Sequence, residues 1–137
     1  MTPQEMDEIF ARHCAAEVAN DVDGILDTLT DDVEHDVVGD PSGVLHDRAL
    51  IAKRYTEIFT ALRDSSMQTL HRHHGADFFV DDSVCTARVA TEFMGVPGNN
   101  RTISFRILHV CEFRDGRISR ENVWLDGGAI MAQLAGE

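Results

Sequence analysis

The sequence predicts one α+β domain over residues 1–137, with helices gathered on one face of a curved, mostly antiparallel sheet. Three observations lead there. Apolar residues recur at helical spacing through most of the first half, and β-rich runs broken by turn residues fill the second. Near the end, Asp115-Gly116 separates two such runs, a strong short-range signal for a hairpin. At 137 residues, 43% hydrophobic and 26% charged, the chain can bury a real core as a single domain.

Thr2-Pro-Gln-Glu5 has the form of a capping box with proline at the first helical position. The helix behind it carries Met6, Phe10, His13 and Glu17 at helical spacing, so His13 shares a face with core-forming residues. Asn20-Asp21 closes that helix and starts a second, whose stripe is Val22, Ile25, Leu26 and Leu29. A strand of about six residues, Val33 to Val38, ends at Gly39 and Pro41. Alternation leaves open whether Glu34, Asp36 and Val38 face inward, or the more apolar set Val33, His35 and Val37. Asp47 caps a third helix that buries Ile51, Tyr55, Ile58, Phe59 and Leu62, and the Tyr55 hydroxyl then needs a buried partner or a route to water. Arg63 to Ser66 end that helix. Strands follow from about Met67 to Phe79 and from about Val84 to Met94, joined by a turn at 80–83. The loop 95–100 leads into the hairpin of Arg101 to Asp126, and Asp126 caps a short last helix with Ile130, Met131 and Leu134.

Within the hairpin, Phe105, Ile107, Cys111 and Phe113 alternate with Ser104, Arg106 and Glu112, which puts His109 on the apolar side. A three-residue turn would pair Phe113 with Arg117 and set His109 opposite Glu121. A two-residue turn would slip the register and set it opposite Asn122. The first is favoured, because it places Val123 and Leu125 on the side of Phe105 and Ile107. A His109–Glu121 pair in an apolar interior would raise the histidine pKa. Trp124 falls on the opposite face.

A formal net charge of -12 disfavours nucleic acid and anionic membrane surfaces as partners. No apolar run approaches the ~20 residues of a membrane span, and the first residues lack the basic and apolar regions of a signal peptide. Cys14, Cys85 and Cys111 are odd in number and far apart, without C-x-x-C, which fits reduced thiols in a cytoplasmic protein. His71 and His73 share a strand face that Asp77 would continue, a set that two-histidine-one-carboxylate metal sites use. Against it, alternate positions on an unbroken strand lie ~6.5–7 Å apart.

The order of elements, with Asp-Asp-Val-Glu-His-Asp after the second helix and Phe-Arg-Asp-Gly-Arg-Ile near the end, resembles the nuclear transport factor 2-like superfamily. Within it the chain is similar to SnoaL-like proteins and ketosteroid isomerases. The resemblance implies a cystatin-like, cone-shaped roll, a curved sheet wrapped on three N-terminal helices, and a homodimer through the sheet. It implies Asp36, in Asp36-Val37-Val38-Gly39, as general base and Tyr55 as a pocket tyrosine. His13, after Arg12, falls on an oxyanion-hole tyrosine, and His109 on a protonated aspartate of the isomerases. The essential Asp of SnoaL-like cyclases and limonene epoxide hydrolases falls on Val123, and the Arg-x-Asp of the hydrolases reads Arg88-Val89-Ala90. Epoxide hydrolysis is thereby disfavoured. Thr69-Leu70-His71 is similar to a Thr-x-His of the scytalone-dehydratase-like branch, which keeps dehydration open.

The expected function is a pocket protein working without metal or other cofactor, an isomerase, dehydratase or cyclase moving a proton next to a carbonyl of a small apolar substrate. Asp36 would be the base, His109 the acid or oxyanion donor, with Tyr55 and His13 orienting. Glu121, Arg88, Val123, Phe105 and Phe59 would line the substrate site; the resemblance turns Arg88 inward, whereas Cys85, Ala87, Val89 and Phe93 look more like the buried face. The alternative is a non-catalytic ligand-binding or dimerisation module of the same fold.

Overall fold

Caps and turns divide the chain largely where their chemistry dictates. A computed structural model describes residues 1–136. The Thr2 hydroxyl accepts from the Glu5 backbone and the Glu5 carboxylate from Thr2, so the capping box opens helix α1 (Pro3–Val18). Asp21 caps α2 (Val22–Asp27), Asp47 caps α3 (Arg48–Ala61) and Asp126 caps α4 (Gly127–Leu134). The strands are β1 (Leu29–Val37), β2 (Val44–Leu45), β3 (Leu62–His74), β4 (Phe78–Val89), β5 (Glu92–Phe93), β6 (Val96–Pro97), β7 (Thr102–Arg114) and β8 (Arg117–Leu125).

Six strands form one sheet in the order β2-β1-β8-β7-β4-β3, antiparallel except where β1 runs parallel to β8; β5 and β6 make a separate ribbon. This is the mixed α+β, mostly antiparallel arrangement that the resemblance to the nuclear transport factor 2-like superfamily implies. Helices α1 to α3 cover one end of its inner face, and α4 packs against β7 and β6 at the other.

Three expectations are corrected. The turn placed at 80–83 lies at 75–77, where the Gly75 N–H donates to the Phe78 carbonyl at 2.8 Å and a Cβ on Gly75 would fall 2.0 Å from the Phe78 ring. Residues 80–83 are strand, with Asp81 inward on Arg72 and Asp82 outward on Arg106. Leu29 opens β1 rather than closing α2. The hairpin turn has two residues, both left-handed (Asp115 φ 53, Gly116 φ 76), pairing Arg114 with Arg117. An irregularity between Glu112 and Phe113 then leaves Ser119 unpaired and shifts the ladder by one. His109 therefore faces Val123 across the strands, and Cys111 faces Glu121; neither expected register holds. Since a two-residue turn and one extra residue together preserve the alternation, His109, Glu121 and Val123 still share the inner face.

Two apolar cores occupy that face. The first joins Met6, Ile9, Phe10, Ile25, Leu29, Val33, Ile51, Tyr55, Phe79, Cys111, Phe113 and Ile118 beneath α1 to α3. The second joins Cys85, Val89, Ile103 and Phe105 to Ile130 and Leu134 of α4. Between them runs the sheet row Val123–His109–Asp81, while the next row, Leu125–Ile107–Ser83, packs Ile107 and Leu125 against the second core. Val123, only 7% exposed, belongs to neither core.

Candidate active site

Where the first core meets those rows, five elements bring five titratable side chains together, all buried: His13 from α1, His35 from β1, Tyr55 from α3, Glu121 from β8 and His109 from β7. Local structure fixes each. His13 follows Met6, Ile9 and Phe10 on the buried face of α1, and Tyr55 follows Ile51 on that of α3. His35 sits inward between Val33 and Val37, directly beside Glu121 in the parallel β1–β8 ladder.

Hydrogen-bond elimination assigns most of the protons. The Thr28 hydroxyl donates to the Ile25 carbonyl at 2.6 Å, so at 2.8 Å from His13 Nδ1 its oxygen accepts and Nδ1 carries a proton. Arg54, always protonated, donates to His35 Nδ1 at 2.9 Å, leaving the His35 proton on Nε2. That Nε2 lies 3.1 Å from the Tyr55 hydroxyl, which itself donates to Glu121 Oε2 at 3.1 Å. His13 Nε2 lies 3.3 Å from the tyrosine oxygen and 3.4 Å from Glu121 Oε2. One carboxylate oxygen thus gathers the donors of the cluster. The other, Oε1, takes no hydrogen bond from the described residues and has His109 Nε2 at 3.9 Å. His109 Nδ1 is buried and also without a partner.

Electrostatics follows from this crowding. Burial pushes the His13 pKa down, but Glu121 and then Glu17 outweigh it and raise it to about 9. Burial raises the Glu121 carboxyl, yet His13 above all, then His35 and His109, pull it below the ordinary carboxylate range. His109 and His35 are lowered, chiefly by burial. At neutral pH the cluster is one imidazolium–carboxylate pair, His13 with Glu121, flanked by two neutral histidines. The expectation that Glu121 raises the His109 pKa is therefore corrected: at 3.9 Å the carboxylate does not offset the burial of the ring, and the closer His13 takes the charge. Burial also lifts the Glu17 carboxyl to about 7; it stands 3.8 Å from His13 and is 26% exposed.

A family model described as SnoaL-like polyketide cyclase matches residues 9–134, nearly the whole chain. The chain belongs to that family. A search of curated proteins by sequence returned no match. Among solved structures this SnoaL-like chain is similar to TsrD from Streptomyces laurentii, with 15% identity, TM-score 0.85, and coverage of 100% of this chain and 99% of that one. It is also similar to TerC co-crystallised with polyporic acid (18% identity, TM-score 0.78, 96% and 98% covered). A third is a hypothetical protein of ketosteroid isomerase-like fold from Catenulispora acidiphila DSM 44928, in complex with trimethylamine (13%, TM-score 0.76, 98% and 95%). At these identities the likeness is one of fold.

Against the SnoaL-like scaffold the remaining site candidates fall in several places. Asp36 is on the outer face: its neighbour His35 takes the inward position, and Asp36 instead accepts from the Asn122 amide at 2.9 Å. The pairing of Asp36 with His109 across one interior is thus corrected. Arg88 also points outward, 37% exposed, to Asp64 at 3.1 Å and Asn100 at 2.9 Å. Val123 lies beside His109, Phe59 stacks at a tilt 6.1 Å from Tyr55, and Phe105 is in the second core. His71 and His73 stack 6.5 Å apart, while Asp77 is taken by the N-terminal ammonium at 2.8 Å; among the described residues no group of three or more ligands is arranged to hold a metal. His35 and Arg54 were not singled out from sequence. The signal for His35 was the more apolar alternate set Val33, His35, Val37; Arg54 on a helix face gives none.

Proposed function

We propose that this SnoaL-like protein binds a small, mostly apolar carbonyl compound between its two cores and moves a proton next to the carbonyl without a metal. The observation that supports this reading is the pair of unspent atoms, Glu121 Oε1 and His109 Nδ1, in an otherwise self-satisfied cluster. Carried on Nε2, the nitrogen nearer the carboxylate at 3.9 Å, the proton of a neutral His109 leaves Nδ1 as a bare acceptor. That reverses the role expected for it: His109 is the base, and Glu121 balances the imidazolium that forms. The proton taken at Nδ1 returns to another atom of the same substrate, which serves isomerisation, dehydration or ring closure alike. Polyporic acid, held by TerC, is a ligand of this kind for a similar fold.

Deuterium uptake from D2O next to the carbonyl of a panel of apolar ketones and β-diketones, followed by NMR, tests this. Uptake above buffer that His109→Ala reduces ~10²–10⁴-fold supports it; no uptake on any compound that binds overturns it. The second reading, a binding module without turnover, is favoured by the mutual hydrogen bonding of His13, His35, Tyr55 and Glu121. A homodimer would use the outer sheet face, where Trp124 is 40% exposed beside Leu108 and Arg106, and light scattering reads its mass.

A further inference from the structure

Arg54 is buried, yet it stands outside the ring of groups around Glu121. Its NH1 donates to His35 Nδ1 at 2.9 Å and to the His35 carbonyl at 3.3 Å. Its NH2 donates to the Gly43 carbonyl at 2.8 Å and lies 3.8 Å from Asp40. The guanidinium is thus anchored on two backbone oxygens with a planar fork of N–H groups, and one of them is aimed at a ring nitrogen. A guanidinium cannot accept, so the facing nitrogen must be bare.

We infer that Arg54 is a positioning residue: it locks His35 as the Nε2–H tautomer and so sets the direction of every hydrogen bond between β1 and Glu121. The chain runs one way, from Arg54 to His35, from His35 Nε2–H to the Tyr55 oxygen, and from the Tyr55 hydroxyl to Glu121 Oε2. All of it ends on one carboxylate oxygen, which leaves Oε1 to His109. With the opposite tautomer, a bare Nε2 would compete with Glu121 for the tyrosine proton, and Oε2 would lose a donor. The consequence for turnover rests on the proposed base role of His109; the tautomer itself does not.

The groups facing His35 are Arg54 and Tyr55 from α3, His13 from α1 and Glu121 from β8, with Asp36 next to it on β1. Burial disfavours a charged ring there and the two cations oppose it further, against the pull of the two carboxylates. Removing Arg54 takes away one opposing cation and the constraint on Nδ1 together.

The test is long-range proton–nitrogen NMR on protein labelled with 15N-histidine, with His35 assigned by its loss in His35→Gln. In the wild type, Nδ1 should read as bare and Nε2 as protonated at neutral pH. Arg54→Met should let His35 titrate, its midpoint moving up by about one pH unit or more. Arg54→Lys, which keeps a cationic donor, should restore most of the locked pattern. A wild-type spectrum with the proton on Nδ1, or a doubly protonated ring at neutral pH, overturns the inference even if Arg54→Met does not fold. So does a folded Arg54→Met with the wild-type pattern at every pH. Because the readout is nuclear and not catalytic, absence of deuterium uptake would count against the proposed function and leave this inference standing.

Discussion

Stability should fall between about pH 6.5 and 8.5, and His13 should carry much of the fall. The folded pKa of His13 is about 9 against an unfolded value of 6.5. A base whose folded pKa is raised contributes stability fully below the unfolded value and loses it as pH rises through the folded one. The full difference is worth about 3 kcal/mol, of which linkage places about 2 kcal/mol between pH 6.5 and 8.5. Above that range the unfolded thiols ionise while buried Cys14, Cys85 and Cys111 do not, so the comparison stops there. Glu17, raised to about 7, adds its own decline between about pH 4.5 and 7, and Glu17→Gln is the background in which to work, where the His13 fall is smaller than in the wild type because Glu17 also raises His13. Urea unfolding of Glu17→Gln and of Glu17→Gln/His13→Gln, at several pH values across the window, gives the two slopes. Glutamine shortens the absolute stability but cannot titrate, so the slope and not the midpoint is read. Equal slopes in the two proteins, or stability rising with pH in the single variant, would refute the pairing of His13 with Glu121.

Four further outcomes follow from the same geometry. Glu121→Ala leaves the His13 imidazolium buried without its partner and should cost about 3–5 kcal/mol in urea unfolding, with the His13 midpoint dropping in NMR titration. Tyr55→Phe removes one hydroxyl bonded to three cluster members and should cost about 1–3 kcal/mol with little change in packing. Asp36→Asn, on the outer face, should leave deuterium uptake and ligand affinity within about twofold of wild type, a difference of only ~0.4 kcal/mol. Gly116→Ala puts a Cβ at φ 76 in the hairpin turn and should lower stability by about 1 kcal/mol, read as a lower thermal midpoint.

The fold was legible because its signals are local. Caps at Thr2, Asp21, Asp47 and Asp126, and a left-handed Asp115-Gly116 pair, act within a few residues and leave readable side chains. The turn at 75–77 was missed because the packing of the Phe78 ring over Gly75 leaves no mark in local composition, whereas Val-Asp-Asp-Ser offers the usual turn composition in a strand whose two aspartates are held by Arg72 and Arg106. The site was half legible. Tyr55, His13, His109 and Glu121 were named from spacing, pattern and resemblance, and they do converge. Asp36 was preferred over His35 because a matching motif outweighed the alternation, although one residue on a strand decides which face a side chain takes. The unpaired Ser119 lay beyond reach altogether: no local composition marks it, yet it decides that His109 faces Val123.

A cluster serving stability alone would be a poor use of buried charge, since well-packed apolar residues of the same volume are often neutral or better. Here the interior holds a carboxylate and an imidazolium where the first core ends, and Val123, His109 and Asp81 continue the sheet between two separate cores. Had all the polar atoms been satisfied, a role in fixing α1, α3 and β1 to the sheet would account for them. The satisfaction is instead lopsided: donors crowd one oxygen of Glu121, while the other oxygen and the nearest ring nitrogen on β7 stand apart by more than a hydrogen bond. A guest that brings a hydroxyl donor to His109 or to the free oxygen of Glu121 would supply what that side of the cluster lacks.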